Sequence, residues 1–257
     1  MKRTLRSSPL AALILVMLVA AAPGAAPLPL AEAEALLHTP SLDLAQVTRA
    51  LNLCEGVLAS GAAPRPHVLA QLARICFVAG DLSSRKYSGG FFRKGTVYAE
   101  TLSSEAPNRV EGHYWLALNL CGQAEAAGYM TARRLLPRIM EALERALALD
   151  EAYGQAGAHR ILGRIYFEAP AWPMSVGDLH KSLHHLQAAV RLAPDNSRNH
   201  LFLAQTLARL HYPSLARREL ERVLTSTGYA IKPQDLEEDC QEARRLLADI
   251  AAPSSPP

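Results

Sequence analysis

Aromatic side chains are scarce: phenylalanine, tryptophan and tyrosine make up 6% of the 257 residues, while alanine and leucine abound. That balance argues against a β-sandwich, whose strands favour aromatic and β-branched residues, and points to helices. Long apolar runs are missing too. The longest, Leu10–Ala22, has 13 residues, about 20 Å of helix against a hydrocarbon core of roughly 30 Å. There is no real excess of charge either. The formal +3 is carried by Lys2, Arg3 and Arg6, which precede that run, and no carboxylate occurs before Glu32. A basic start, a short apolar stretch and then small residues form a secretory signal peptide, expected over 1–24 with cleavage after Gly24 or Ala25. The remaining chain holds 24 basic and 24 acidic residues, so no basic face for nucleic acid is expected. An exported protein, soluble after cleavage, is expected.

Catalytic and metal-binding patterns are sparse. The four cysteines (Cys54, Cys76, Cys121, Cys240) form no Cys-x-x-Cys pair, which removes the usual structural metal site. All four sit among helical apolar residues, where buried thiols are the preferred reading. A Cys54–Cys76 bridge across a helix pair stays open, since export permits disulfides. Ser175, Asp178 and His180 lie close in sequence without a nucleophile elbow around the serine. No glycine-rich phosphate loop occurs, and no cofactor, metal or catalytic residue is assigned. His180 and His184 share an i, i+4 spacing, but with no carboxylate or cysteine in the motif they read as a solvated helix face.

What the chain does contain is a repeat. His113/Leu116/Ala117/Leu120, His159/Leu162/Gly163/Tyr166 and His200/Leu203/Ala204/Leu207 share one spacing, and Leu69/Leu72/Ala73/Cys76 is an earlier copy. Steps of three, one and three put all four residues on one helical stripe, with a small residue where a neighbouring helix comes close. Each copy precedes a second helix with its own small–large–small face, such as Ser182/Leu186/Ala189 and Ala216/Leu220/Val223. Pro107 and Pro194 each lie six residues before the next histidine. The three histidines themselves read as packing residues rather than ligands.

These features resemble the tetratricopeptide pattern, which implies an all-α solenoid of stacked helix pairs. The copies start at 69, 113, 159 and 200, wider than the usual period of about 34. The excess falls between paired helices, near "SSRKYSGGFF", "AEAAGYMTARR" and "EAPAWPMSVGD". Stacking predicts that these insertions line one edge, where per-repeat insertions often bind. Tyr87, Phe91, Phe92, Tyr129, Met130, Trp172, Pro173 and Met174 concentrate there and are expected to form either an apolar binding rim or local plugs. The expected layout is a segment 25–42, a repeat domain 43–250 with Asp43 as a helix cap and a charged capping helix near its end, and a disordered tail 251–257.

Residues 66–224, most sharply 109–207 and above all the loop Ala169, Pro170, Trp172, Pro173, Ser175, Gly177 and Asp178, resemble the T component of tripartite ATP-independent periplasmic (TRAP) transporters. The resemblance implies a noncatalytic periplasmic repeat protein that associates with a solute-binding protein or takes an apolar small molecule. Members of that family are commonly lipoproteins. Here no cysteine precedes Cys54, so no lipid anchor of that kind is expected. A general periplasmic scaffold for envelope assembly or maintenance is the alternative.

Overall fold

A computed structural model describes residues 28–171, 174–228 and 231–251. The expected signal peptide, Trp172, Pro173 and the residues after Ala251 lie outside the described residues. The elements are α1 (Leu28–Leu37), α2 (Leu44–Ser60), α3 (Arg65–Leu82), α4 (Arg85–Glu105), α5 (Val110–Ala127), α6 (Tyr129–Leu149), α7 (Tyr153–Glu168), α8 (Leu179–Leu192), α9 (Ser197–Arg209), α10 (Pro213–Thr225) and α11 (Gln234–Ala251). The fold is all-α, a solenoid of helix pairs in which α3, α5, α7 and α9 stack along the array, each against its own second helix.

Local sequence sets the helix ends. Asp43 accepts from the Gln46 backbone at 2.8 Å while Gln46 Oε1 accepts from the Asp43 backbone at 2.9 Å, a reciprocal cap that starts α2. Gly61, at φ 65°, ends the helix in the left-handed conformation that glycine takes without cost. The repeated stripe is the core: Leu69, Leu72, Ala73, Leu116, Ala117, Leu162, Leu203 and Ala204 are all buried. The small position works as its spacing implies. A Cβ on Gly163 would overlap the Leu186 side chain of the paired helix α8.

Two of the three expected insertions are not loops. The turns between α3 and α4 and between α5 and α6 are Ser83–Ser84 and the single residue Gly128, and α4 and α6 are 21 residues each against 14 for α8. Residues 83–94 and 124–134 contain no proline, so the extra length becomes helical turns. In the third pair Pro170, which has no N–H to donate, follows the end of α7, and the described residues 169–171 and 174–178 between α7 and α8 are not helical. The helices also begin earlier than residue 43: α1 lies within the segment left unassigned, and it buries Leu30, Ala33 and Leu37 in the first core cluster.

The connection between α10 and α11 crosses back over the array. Gly228 donates to Asp195 O at 2.9 Å and accepts from Ser197 N at 3.0 Å, beside the start of α9. Ile231 packs on both N-terminal core clusters, Lys232 Nζ pairs with Asp81 of α3 at 2.9 Å, and Gln234 Nε2 donates to Leu42 O at 3.0 Å. The strap ties the last repeat to the first.

Candidate binding edge

Antiparallel pairs stacked in one direction place the α3–α4, α5–α6 and α7–α8 turns along a common edge. The third turn is the most elaborate. Ala169 closes α7 by donating to Ile165 O at 3.0 Å; Gly177 N donates to Pro170 O and Asp178 N to Tyr166 O, both at 2.9 Å. A Cβ at Gly177 would run into the Ala169 carbonyl, so only glycine closes this loop. Ser175 N donates weakly to Ala171 O at 3.4 Å. The Asp178 carboxylate accepts from the backbones of His180 and Lys181 at 2.9 and 3.1 Å, capping α8, and the Lys181 bond above all holds its pKa below the usual carboxylate value. That engagement gives the Ser175/Asp178/His180 proximity a structural purpose. The braced loop presents Met174, 72% exposed.

The expected rim residues divide into two kinds. Phe92 is buried at 6% exposure, its ring held between Gly80 of α3 and Gly122 of α5, where an added Cβ would overlap it. Phe77 lies against it at 5.8 Å between centroids. Phe91 is half-buried against the first core cluster. These two are plugs, because they fall on the inward face of α4 rather than in a loop between helices. Tyr87, Tyr129 and Met130 are exposed at 61%, 63% and 73%; they stand at the first turns of α4 and α6.

Beside them lies a feature the sequence reading passed over. Arg85, Lys86, Arg93 and Arg134, with Gly89 and Gly90, line a cleft of about 370 Å³ between the starts of α4 and α6 and the end of α5. Its signal was present in the sequence: residues 83–94 and 128–138 contain seven Lys or Arg and no Asp or Glu. The near-balance of 27 basic and 24 acidic residues over the whole chain concealed it.

The histidine tier is structural. His113 Nε2 donates to Pro107 O at 2.9 Å and His200 Nε2 to Pro194 O at 2.7 Å, which accounts for the shared spacing of six. His200 Nδ1 faces Glu219 at 2.7 Å. His159 has no such proline and meets His185 instead, Nδ1 to Nδ1 at 3.0 Å. Among the described residues no group of three or more His, Cys, Asp or Glu is placed to hold a metal. Cys54 and Cys76 are buried free thiols with no bridge between them; burial, with Glu34 and Glu55 adding for Cys54, pushes them up to about 11 and about 12.

Stacked helix pairs with charged and apolar groups on one turn edge make a helical-repeat architecture. Residues 92–248 match the TRAP transporter T-component family. That stretch is more than half of the chain, and the chain belongs to this family. Among solved structures, a thermophilic TPR protein of Thermus thermophilus is similar at a TM-score of 0.59 and 20% identity, over 86% of this chain and 96% of that one; this likeness concerns the fold alone. No curated protein matches the chain.

Proposed function

We propose that the protein is a noncatalytic, exported accessory component of a TRAP-type solute transport system, and that it holds a partner protein, such as a solute-binding protein, or an apolar ligand at its turn edge. Family membership supports the transport role. The observation that carries the site is Met174: a large apolar side chain, 72% exposed, on a loop fixed by its own hydrogen bonds. A preorganised apolar anchor binds without the entropy cost of ordering a loop. Trp172 and Pro173 precede it in sequence and belong to the same proposed contact.

The test is calorimetric titration of the purified protein with the solute-binding protein of its transport system, alongside Met174→Ser and Trp172→Ala. Losing a buried methionine contact weakens binding about tenfold or more, with circular dichroism unchanged. Unchanged affinity in both variants rejects the site; melted helices identify Trp172 as a plug. Mass spectrometry of denatured protein checks the second occupant, since a co-purifying lipid or apolar acid marks an apolar ligand.

A further inference from the structure

The basic cleft between α4 and α6 lies on a different sector of the edge from Met174, and nothing above assigns it a role. Further along the same two helices, two of the three remaining cations are matched. Lys94 pairs with Glu55 at 2.5 Å, and Arg138 pairs with Glu100. Toward the tip the matching stops. Arg85, Lys86, Arg93, Arg133 and Arg134 make no ion pair among the described residues; Arg85 Nε reaches only the Ala126 carbonyl, at 3.4 Å, and Lys86 sits 5.3 Å over the Tyr87 ring. The nearby carboxylates are Glu125 and Asp81, which line an adjoining recess with Arg85. Asp81 is taken up by Lys232, and Glu125 forms no ion pair among the described residues.

The arrangement costs the isolated protein stability. Neither α4 nor α6 has an acidic residue in its first turn, and α4 opens on Arg85 and Lys86. Cations at a helix N-terminus oppose the helix dipole, and five like charges on one tip repel one another. Such a conflict between local preference and fold marks a surface kept for a partner. The partner must be anionic, by charge complementarity.

The apolar groups at the same tip narrow the choice. Tyr87, Tyr129 and Met130 are all more than 60% exposed. A free anion seated in the cleft would cover none of them. A bilayer headgroup layer accommodates both kinds of side chain, because tyrosine places its ring among glycerol and acyl groups and its hydroxyl in water. Basic residues beside it meet lipid phosphates, each contributing about 1 kcal/mol near an anionic surface. The family serves a membrane transport system, and no helix among the described residues is long and apolar enough to cross a membrane. Contact between this fold and the bilayer is therefore a surface contact.

We propose that the α4–α6 tip is a docking surface for anionic phospholipid bilayers: the cleft takes a phosphodiester headgroup, and Tyr87, Tyr129 and Met130 enter the headgroup layer. Binding orients the array with this tip down and leaves the Met174 loop to its own partner.

The experiment is vesicle co-sedimentation of the full protein with phosphatidylcholine vesicles, with and without phosphatidylglycerol. The Arg85→Gln/Arg134→Gln double variant and the Tyr129→Ser/Met130→Ser double variant share the wild-type N-terminus, so differences report the tip. Wild type is expected to partition onto phosphatidylglycerol vesicles and lose most of that binding as salt rises from about 0.1 M to about 0.5 M. The arginine variant binds about thirtyfold more weakly, two charges' worth, and the serine variant loses binding even at low salt. Titration with inorganic phosphate and with the solute-binding protein separates the other occupants. Absence of vesicle binding, equal binding by wild type and both variants, or vesicle-independent binding of phosphate or the acidic face of a protein through Arg85 and Arg134 would each overturn the proposal. Met174→Ser is expected to leave vesicle binding unchanged, so this result and the partner test fail independently.

Discussion

His185 and His200 show how a residue's neighbours decide its response to pH. Burial, then His159 and His184, push His185 down to about 4, and its ring stacks on Tyr166 at 5.6 Å. In the unfolded chain this ring takes a proton near its ordinary value of 6.5. Stability therefore falls as pH drops from about 6.5 toward about 4. His200 runs the other way. Burial opposes its charge, but Glu219 and the Pro194 carbonyl outweigh burial, and its pKa is raised. Its contribution is complete below the unfolded value and is lost as pH rises through the folded one. Urea midpoints measured across pH 5 to 8 are expected to lose their acid limb in His185→Leu and flatten on the alkaline side in His200→Gln, with helicity retained in both.

At the scale of the element, the long helices α4 and α6 depend on how α4 is locked to its neighbours. Phe92 is the wedge: its ring fills the gap opened by Gly80 and Gly122 and completes a chain through Phe77 to Trp115, with centroids 5.8 and 6.1 Å apart. Nothing smaller fills that gap. Phe92→Ala is expected to cost about 3–5 kcal/mol in urea denaturation, and Gly122→Val to disrupt the same contact from the other side. By contrast, Tyr87→Ser, one turn away on the exposed face, is expected to change stability by less than about 0.5 kcal/mol. If Phe92→Ala is as mild as Tyr87→Ser, the wedge assignment fails. Helical phase, rather than hydrophobicity, separates the plug from the candidate binding group.

For the whole molecule, the strap decides whether the array behaves as one body. A solenoid joined only by neighbouring repeats can unfold in parts. Here Lys232 links the strap to Asp81 of α3 and to Asp235 of α11, at 2.9 and 2.8 Å, and is itself 8% exposed. Lys232→Ala removes the nearest cation from the nearly buried Asp235, leaving Arg198 at 3.6 Å, and is expected to cost about 1–3 kcal/mol. Hydrogen exchange is expected to accelerate first along 231–235, then in α1 to α3, while α9 and α10 stay protected. A uniform loss across all repeats would show instead that the strap is not the connection between the two ends.

The sequence by itself determined the repeat. Four residues at steps of three, one and three bury a stripe in each copy, and that periodicity is local, so it can be read without coordinates. Asp43 as a cap was legible for the same reason, as was the family-like loop, whose Ala169, Pro170, Gly177 and Asp178 brace it through short-range hydrogen bonds. The six-residue spacing of Pro107 and His113 was visible, but its cause, a ring nitrogen bonded to the proline carbonyl, was not. Tertiary structure decided what depends on residues far apart in the chain. It turned two expected insertions into helix, set Phe91 and Phe92 inward, and brought the starts of α4 and α6 around the end of α5 so that scattered arginines share a cleft. It also carried the strap back to α3. Burial and electrostatic neighbourhood are set by packing between elements, and one dimension of sequence does not contain them.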